Sequence, residues 1–235
     1  MNLIFKNLIA PVVLAFVLIV PAAADPLEDG LSAYSNGEYA TALEILRPLA
    51  EAGNAKAQYQ LGFSYDSGKG VIQNDAEAIK WFRRAAEQGD VRAQFHLGLS
   101  YSAGDRAPQD DIEAFRWYHM AAEQGAAIAQ FVVGEKYFQG VGVPKSDAQA
   151  VKWWELAALG GYALAQARLG LVFARGEAGL GQDYVIAHSW MSLAAAQGNK
   201  NASNNLKVLG TRMSPVDIKK AELFRDALAK SIPNH

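Results

Sequence analysis

Hydrophobic residues recur along this chain in two helical stripes that return at a fixed interval. From Ala57 the sequence reads AQYQLGFSYDSG, in which Ala57, Leu61 and Tyr65 are spaced one helical turn apart. A second stripe follows in AEAIKWFRRAAEQG, where small residues alternate with Trp81. Both stripes return at steps of 36 residues, with one late step, so that the tryptophans are Trp81, Trp117, Trp153 and Trp190. A period of this length is typical of a stacked array of helix pairs.

Glycines divide each unit into a first helix, helix A, and a second, helix B. Helix A of the first full unit is predicted from about Asn54 to Ser67, and glycine ends it in every unit: Gly68, Gly104, Gly140 and Gly176. A further glycine recurs inside helix A, at Gly62, Gly98, Gly134 and Gly170. A glycine within a helix costs ~1 kcal/mol relative to alanine. Its recurrence therefore predicts a position where the partner helix approaches closely.

Helix B begins each time at a residue that favours the N-cap position. These residues are Asn74, Asp110, Ser146 and Asp183. Three residues later come Glu77, Glu113 and Gln149, which predict a capping box whose side chain bonds back to the N-cap N–H. The fourth unit has Ile186 at that position, and an isoleucine cannot form the bond back to the N-cap N–H.

The pattern predicts full units at residues 54–89, 90–125, 126–161 and 162–198, with irregular ends. Residues 25–53 are predicted to form a degenerate helix pair without the tryptophan, and residues 199–210 a partial unit. A capping helix is predicted at residues 214–232, with Ser214 as its N-cap and Pro215 in its first turn. Such a cap covers the last apolar face of an array and keeps it soluble.

The first 24 residues carry the features of a secretory signal. Lys6 precedes an uncharged apolar run from Leu8 to Val20, and small residues then end at Ala24. We expect cleavage after Ala24 and a periplasmic or secreted protein. A retained membrane anchor is the alternative, but thirteen apolar residues are fewer than the ~20 that a spanning helix needs.

Composition and motifs argue against several classes of function. Charged residues make up 20% and the net charge is −2, which predicts no basic surface for nucleic acid. Because the chain has no cysteine, disulfides, thiolate zinc sites and cysteine nucleophiles are excluded. The histidines are scattered: His96, His119 and His188 fall on different predicted helices, and His235 ends the chain. No nucleophile elbow, P-loop or H-E-x-x-H motif is present, so we expect no catalytic residue, no metal and no cofactor.

The ordered pattern A-Q-[YF]-x-L-G-x-x-Y-x-x-G, followed by A-x-x-W-[FY]-x-x-A-A-E-Q-G, resembles the Sel-1-like repeat family, a relative of tetratricopeptide repeats. The resemblance extends from about Asp25 to Gly210. It implies an all-α fold, a right-handed α-solenoid of antiparallel helix pairs. It also implies a non-enzymatic scaffold that binds other proteins. Some relatives are rich in cysteine, with a disulfide in each repeat, a property that cannot apply to this chain.

For bacterial members the resemblance implies roles in envelope signalling, exopolysaccharide control and assembly of the cell envelope. The leading hypothesis is therefore a periplasmic protein–protein interaction scaffold with an unknown envelope or periplasmic protein as its partner. One alternative is a secreted factor that binds host proteins. Another is a cell-envelope hydrolase, which the absence of a catalytic motif disfavours.

A partner-binding groove is predicted on helix A, on the side opposite Leu61. In tetratricopeptide arrays this side lines the concave groove, and the resemblance implies the same here. The candidate residues are Lys56, Tyr59, Phe63, Arg92, Phe95, Leu99, Phe131, Glu135 and Phe138. The hypothesis is that an aromatic row formed by Tyr59, Phe95 and Phe131 takes an extended segment or a helix of a partner, while the two cations meet an acidic group.

Two alternatives stay open for these residues. The aromatic side chains also suit packing between repeats, because aromatic stripes at helical spacing are usually core. The cations Lys56 and Arg92 also suit plain solvated positions. The copies differ most at the groove positions, and we expect a binding site within the first three repeats.

Overall fold

A computed structural model describes residues 25–232, and the predicted signal peptide lies outside them. Within this range the chain forms α-helices and no strand, which confirms the all-α prediction. The helices are α1 (Pro26–Ser35), α2 (Tyr39–Glu51), α3 (Ala55–Ser67), α4 (Asp75–Glu87), α5 (Val91–Ala103), α6 (Asp111–Glu123), α7 (Ala127–Gln139), α8 (Asp147–Leu159), α9 (Ala163–Arg175), α10 (Tyr184–Ala196), α11 (Lys200–Gly210) and α12 (Pro215–Ser231). From α1 to α11, consecutive helices pack against one another along the chain, as in an α-solenoid.

Helices A and B begin and end where the repeat pattern predicts. Helices A are α3, α5, α7 and α9, and each ends at a glycine in the left-handed conformation, such as Gly68 with φ of 70°. Helices B are α4, α6, α8 and α10, and the side chain of each predicted N-cap accepts a hydrogen bond from a backbone N–H of the first turn.

One half of the predicted capping box is wrong: the side chain three residues after the N-cap does not bond back to the N-cap N–H. The backbone N–H of Asn74 donates to the carbonyl of Tyr65 at 2.9 Å, and the N-caps of the next helices B bond to helix A in the same way. Because this donor is already satisfied, the acidic side chain three residues later is free for other contacts. Glu77 pairs with Lys80 at 2.9 Å, while Glu113 accepts a hydrogen bond from Trp117 Nε1 at 2.9 Å.

A row of buried glutamines, here called the glutamine ladder, links each unit to the one before it. In α3, Gln58 Nε2 donates to the carbonyl of Ala50 at the end of α2, at 3.0 Å. Gln88 Nε2, at the end of α4, donates to Gln58 Oε1 at 2.7 Å. The equivalent glutamines that reach back to a preceding helix are Gln94, Gln130 and Gln166. The last carbonyls of a helix have few partners within it. Each of these amides adds a second hydrogen bond, from the next unit, to a carbonyl that already accepts one from a nearby backbone N–H, as Ala50 does from Gly53.

The glycine inside helix A marks a close contact with helix B, as predicted. A Cβ at Gly134 would lie 2.5 Å from Cδ1 of Trp154, a distance that no Cβ tolerates. In every unit the residue that follows the repeated tryptophan occupies this place: Phe82, Tyr118, Trp154 and Met191. The two helices of a unit can therefore approach only because the side chain is absent.

The C-terminal helix α12 packs against α10, which is helix B of the fourth full unit. The Ser189 hydroxyl donates to the carbonyl of Ala221 at 2.8 Å across this contact. Ser214 caps α12 as predicted, since its hydroxyl accepts from the backbone N–H of Asp217 at 3.1 Å. Among residues 25–232, no helix is both long and apolar enough to cross a lipid bilayer.

Candidate protein-binding groove

All nine predicted groove residues lie on α3, α5 and α7, the helices A of the first three full units. Three are exposed: Lys56, Arg92 and Leu99. The other six are half-buried: Tyr59, Phe63, Phe95, Phe131, Glu135 and Phe138. The surface that these side chains form is called here the helix A face. Its aromatic rings contact the repeat core with one side and solvent with the other.

The aromatic row is held by contacts within the repeats. The Phe95 ring meets the buried Tyr118 ring edge to face, with centroids 5.4 Å apart. The Phe131 ring lies 5.5 Å from that of Tyr162. The Tyr59 ring lies 5.8 Å from that of Phe82. Each ring is thus fixed in orientation while part of it is accessible.

The two predicted cations differ in their surroundings. The guanidinium carbon of Arg92 lies 4.1 Å from the centroid of the Tyr59 ring, close enough for a cation–π contact. Arg92 also pairs with Asp90, the N-cap of α5, at 2.9 Å. Lys56 is exposed and forms no ion pair with any residue from 25 to 232. Burial raises the pKa of Tyr59, and the neighbouring Arg92 opposes this shift.

His96 lies within an aromatic cluster at the first two full units. Its ring stacks on that of Phe82, with centroids 4.9 Å apart and planes 17° from parallel. The Tyr59 hydroxyl lies 3.4 Å from His96 Nε2, and the Phe63 ring approaches edge-on at 5.9 Å. Burial lowers the pKa of His96 and favours the neutral imidazole.

Arg168 of α9 joins two of the predicted groove residues. Its Nε lies 3.0 Å from Glu135 Oε1. Its guanidinium carbon lies 4.7 Å from the centroids of both Phe138 and Trp154. Burial raises the pKa of Glu135, and the charge of Arg168 opposes this shift. Carboxylate and guanidinium therefore largely neutralise each other at this point of the face.

Beside this ion pair the helix A face contains a pocket of about 220 Å³, called here the C-terminal pocket. It lies between α7, α9 and α11. Its apolar lining includes Phe131, Leu164, Ala167 and Leu171, and its polar lining includes Glu135, Arg168, Asn201 and Asn205. Most of these residues belong to the fourth full unit and α11, beyond the repeats in which a site was expected. Within residues 25–232, no three metal-ligating side chains come together.

Comparison with known proteins identifies the repeat. The family model of the Sel1 repeat matches residues 55–90, 91–125, 127–162 and 163–199. The chain belongs to the Sel1 repeat family. The resemblance inferred from the sequence is thereby confirmed. Sel1 repeat proteins generally mediate protein–protein interactions and are typically non-enzymatic scaffolds.

Two solved structures support this assignment. A Sel1 repeat protein from Oxalobacter formigenes is 33% identical, with a TM-score of 0.76 over 88% of this chain and 83% of that one. The protein c5321, a protective antigen of uropathogenic Escherichia coli with an SLR fold, is 31% identical with a TM-score of 0.77. That match covers 88% of this chain and 45% of c5321. No protein of curated function matches in sequence.

Within the Sel1 repeats, His96 and Arg168 occupy the same position of the unit, and sequence reasoning missed both as groove residues. The other copies have Gln60 and Val132 there. A signal was present, because this position varies widely beside an apolar position that is Leu61, Leu97, Val133 and Leu169 in the four units. Each of the two missed side chains stacks on the residue after the tryptophan of the preceding unit, a contact that spacing within one helix does not reveal.

Proposed function

We propose that this Sel1 repeat protein is a periplasmic scaffold that binds a segment of a partner protein along its helix A face. The observation that carries the proposal is the aromatic row. Tyr59, Phe95 and Phe131 stand at equivalent positions on three successive helices A, and each is half-buried and half-accessible. A row of this kind presents contact area at regular intervals along an extended ligand.

The geometry suits binding with little reorganisation. Because Tyr118 and Tyr162 already fix the rings of the row, a partner orders few side chains on this surface. Fixed aromatic side chains are the usual energetic centres of protein interfaces. Lys56 and Arg92 lie at the N-terminal end of the row. Because Arg92 is paired with Asp90, Lys56 is the cation that favours an acidic group there.

The proposal also includes a role for the protein in a process of the cell envelope. It is supported by the signal-like residues 1–24 and by the bacterial Sel1 repeat proteins that the chain resembles. The second candidate, a secreted factor that binds host proteins, is favoured by the likeness to the protective antigen c5321. Cell fractionation separates the two: we expect the protein in the periplasmic fraction, and accumulation in the medium would favour the second candidate.

The binding face is tested by crosslinking in intact cells that produce the protein. A photoreactive phenylalanine derivative replaces Leu99, which is 39% exposed on the helix A face. The matched control replaces Leu156 on α8, which is 41% exposed but lies on a helix B. We expect a discrete protein adduct from position 99 and none from position 156. Adducts of equal yield at both positions, or no adduct at position 99, would contradict the proposal.

A third candidate, a cell-envelope hydrolase, is tested directly. Purified protein is incubated with peptidoglycan, and the release of soluble fragments is measured. We expect no release above the background without protein. Release that persists through purification would overturn the assignment as a scaffold.

A further inference from the structure

The C-terminal pocket differs chemically from the rest of the helix A face. Phe131, Leu164 and Leu171 give it an apolar lining. The side-chain amides of Asn201 and Asn205 stand at its border and form no hydrogen bond with any residue from 25 to 232. They are therefore donors and acceptors available to a ligand.

The size of the pocket points to one side chain. An apolar cavity of about 150 Å³ accepts benzene, and this pocket measures about 220 Å³. Sites for cofactors and drug-sized molecules usually start at about 300 Å³. The space thus fits a phenyl or branched aliphatic group and leaves little room for a larger molecule.

The charges of the face determine which side chain fits where. Inside the pocket wall, Glu135 and Arg168 neutralise each other at 3.0 Å, so a charged side chain gains no net attraction there. At the other end of the face, Arg92 is paired with Asp90 at 2.9 Å, whereas Lys56 forms no ion pair with any residue from 25 to 232 and attracts an acidic group. Charge complementarity therefore assigns an uncharged apolar group to the pocket and a carboxylate to the N-terminal end.

We propose that the C-terminal pocket binds one large apolar side chain, of the phenylalanine or leucine class, from an extended partner segment. The Asn201 and Asn205 amides bond to the backbone of that segment. This inference rests on the proposed function of the helix A face and specifies its ligand.

The pocket is tested alone with blocked amino acids as probes. N-acetyl-leucine amide, N-acetyl-phenylalanine amide and N-acetyl-aspartate amide are titrated against the ¹⁵N-labelled protein. The variant Ala167→Phe places a ring in the pocket, whereas Ala174→Phe adds the same ring further along α9 and outside it. Circular dichroism verifies that both variants are folded.

We expect the leucine and phenylalanine amides to shift resonances of α7, α9 and α11 in the wild type and in Ala174→Phe. In Ala167→Phe their affinity should fall at least tenfold, and the aspartate amide should leave these resonances unchanged. The inference is overturned when the apolar amides cause no shift at the pocket, or when Ala167→Phe binds them as well as the wild type does.

The pairing of an apolar with an acidic residue is tested by selecting a random twelve-residue peptide library on the purified protein. We expect enriched peptides that contain both a large apolar residue and an acidic one. Ala167→Phe should remove the apolar preference, and Lys56→Ala should weaken the acidic one. Enriched peptides that bind Ala167→Phe unchanged would overturn the inference and leave the proposed function standing. Apolar amides that bind at the pocket, together with no enriched peptide, would retain the pocket and overturn the proposed function.

Discussion

At the scale of single residues, the glycine inside helix A provides a sharp test of the packing. Gly134→Ala would bring a Cβ to within 2.5 Å of the Trp154 ring. The clash should lower the free energy of unfolding by about 1–3 kcal/mol, although alanine favours a helix by ~1 kcal/mol.

Gly210 in α11 is the matched control, because a Cβ there meets no atom within 4 Å. Gly210→Ala should leave stability unchanged or raise it slightly. Urea unfolding of both variants measures the difference. Equal stability of the two would show that the close approach of helices A and B does not require glycine.

His96 makes stability depend on pH in a stated direction. Burial lowers its pKa below the ordinary value of 6.5, so the unfolded chain takes up the proton at a higher pH than the folded chain does. Lowering the pH through 6.5 therefore favours unfolding, while above this range the contribution is fully present. Asp66 and Asp90 oppose the shift, and Arg92 and Arg106 reinforce it.

The melting temperature at pH 7.5 and pH 5.5 measures this effect. Between pH 7.5 and pH 5.5, we expect the melting temperature of His96→Phe to fall less than that of the wild type. The variant keeps a ring against Phe82. His188 also has a pKa lowered by burial, so a double variant with His188→Phe should fall least. This account is refuted if the melting temperature of the wild type falls no further than that of the double variant.

At the scale of elements, the glutamine ladder joins each helix A to the preceding helix B. Gln94 is 1% exposed; it donates to the Ala86 carbonyl at 3.1 Å and accepts from Gln124 at 2.8 Å. The Ala86 carbonyl also accepts from the Gly89 N–H, so Gln94→Leu costs only the two side-chain bonds, about 0.5–1.5 kcal/mol for each.

Gln130 provides the comparison. It donates to the Ala122 carbonyl at 3.2 Å, but α8 ends at Gly160, which has no side chain to complete the second bond. Gln130→Leu should therefore destabilise the protein less than Gln94→Leu does in chemical denaturation. A larger loss at Gln130 would mean that the second bond contributes nothing.

Most helix boundaries could be predicted from the sequence because their causes are local. A glycine such as Gly68 ends helix A through its own backbone conformation, and Asn74 caps helix B through its own side chain. The reciprocal capping bond was predicted wrongly because its donor bonds to Tyr65, nine residues earlier in the chain. The capping helix itself was predicted, but its contact with α10 was not, since α12 lies outside the period.

In the candidate site, too, features with a local cause could be predicted, and features that depend on contacts with other units could not. Tyr59 and its equivalents were placed on helix A by spacing alone. Their half-burial depends on rings from other elements: from helix B for Tyr59 and Phe95, and from Tyr162 at the start of α9 for Phe131. Arg168 was missed because its contacts, Glu135 and Trp154, come from the preceding unit. The C-terminal pocket needs α7, α9 and α11 together, and α11 begins after the step that breaks the 36-residue period.

At the scale of the whole molecule, the array is nearly one-dimensional. Among the described helices, extensive packing joins consecutive helices from α1 to α11, and α12 packs against α10. In such an array, stability is a sum of local terms between neighbours. A change at one end should therefore weaken nearby units and leave distant ones intact.

Removal of α12 tests this expectation and separates the two ends of the helix A face. A chain that ends at Arg212 exposes the side of α10 that Ala221 covers. Hydrogen exchange should accelerate in α9, α10 and α11, whereas α3 to α5 keep their protection. Leucine amide should then bind the C-terminal pocket more weakly, because α9 and α11 line it, while the crosslink from position 99 persists. Loss of protection along the entire chain would instead show that the repeats unfold as one unit and that α12 stabilises all of them.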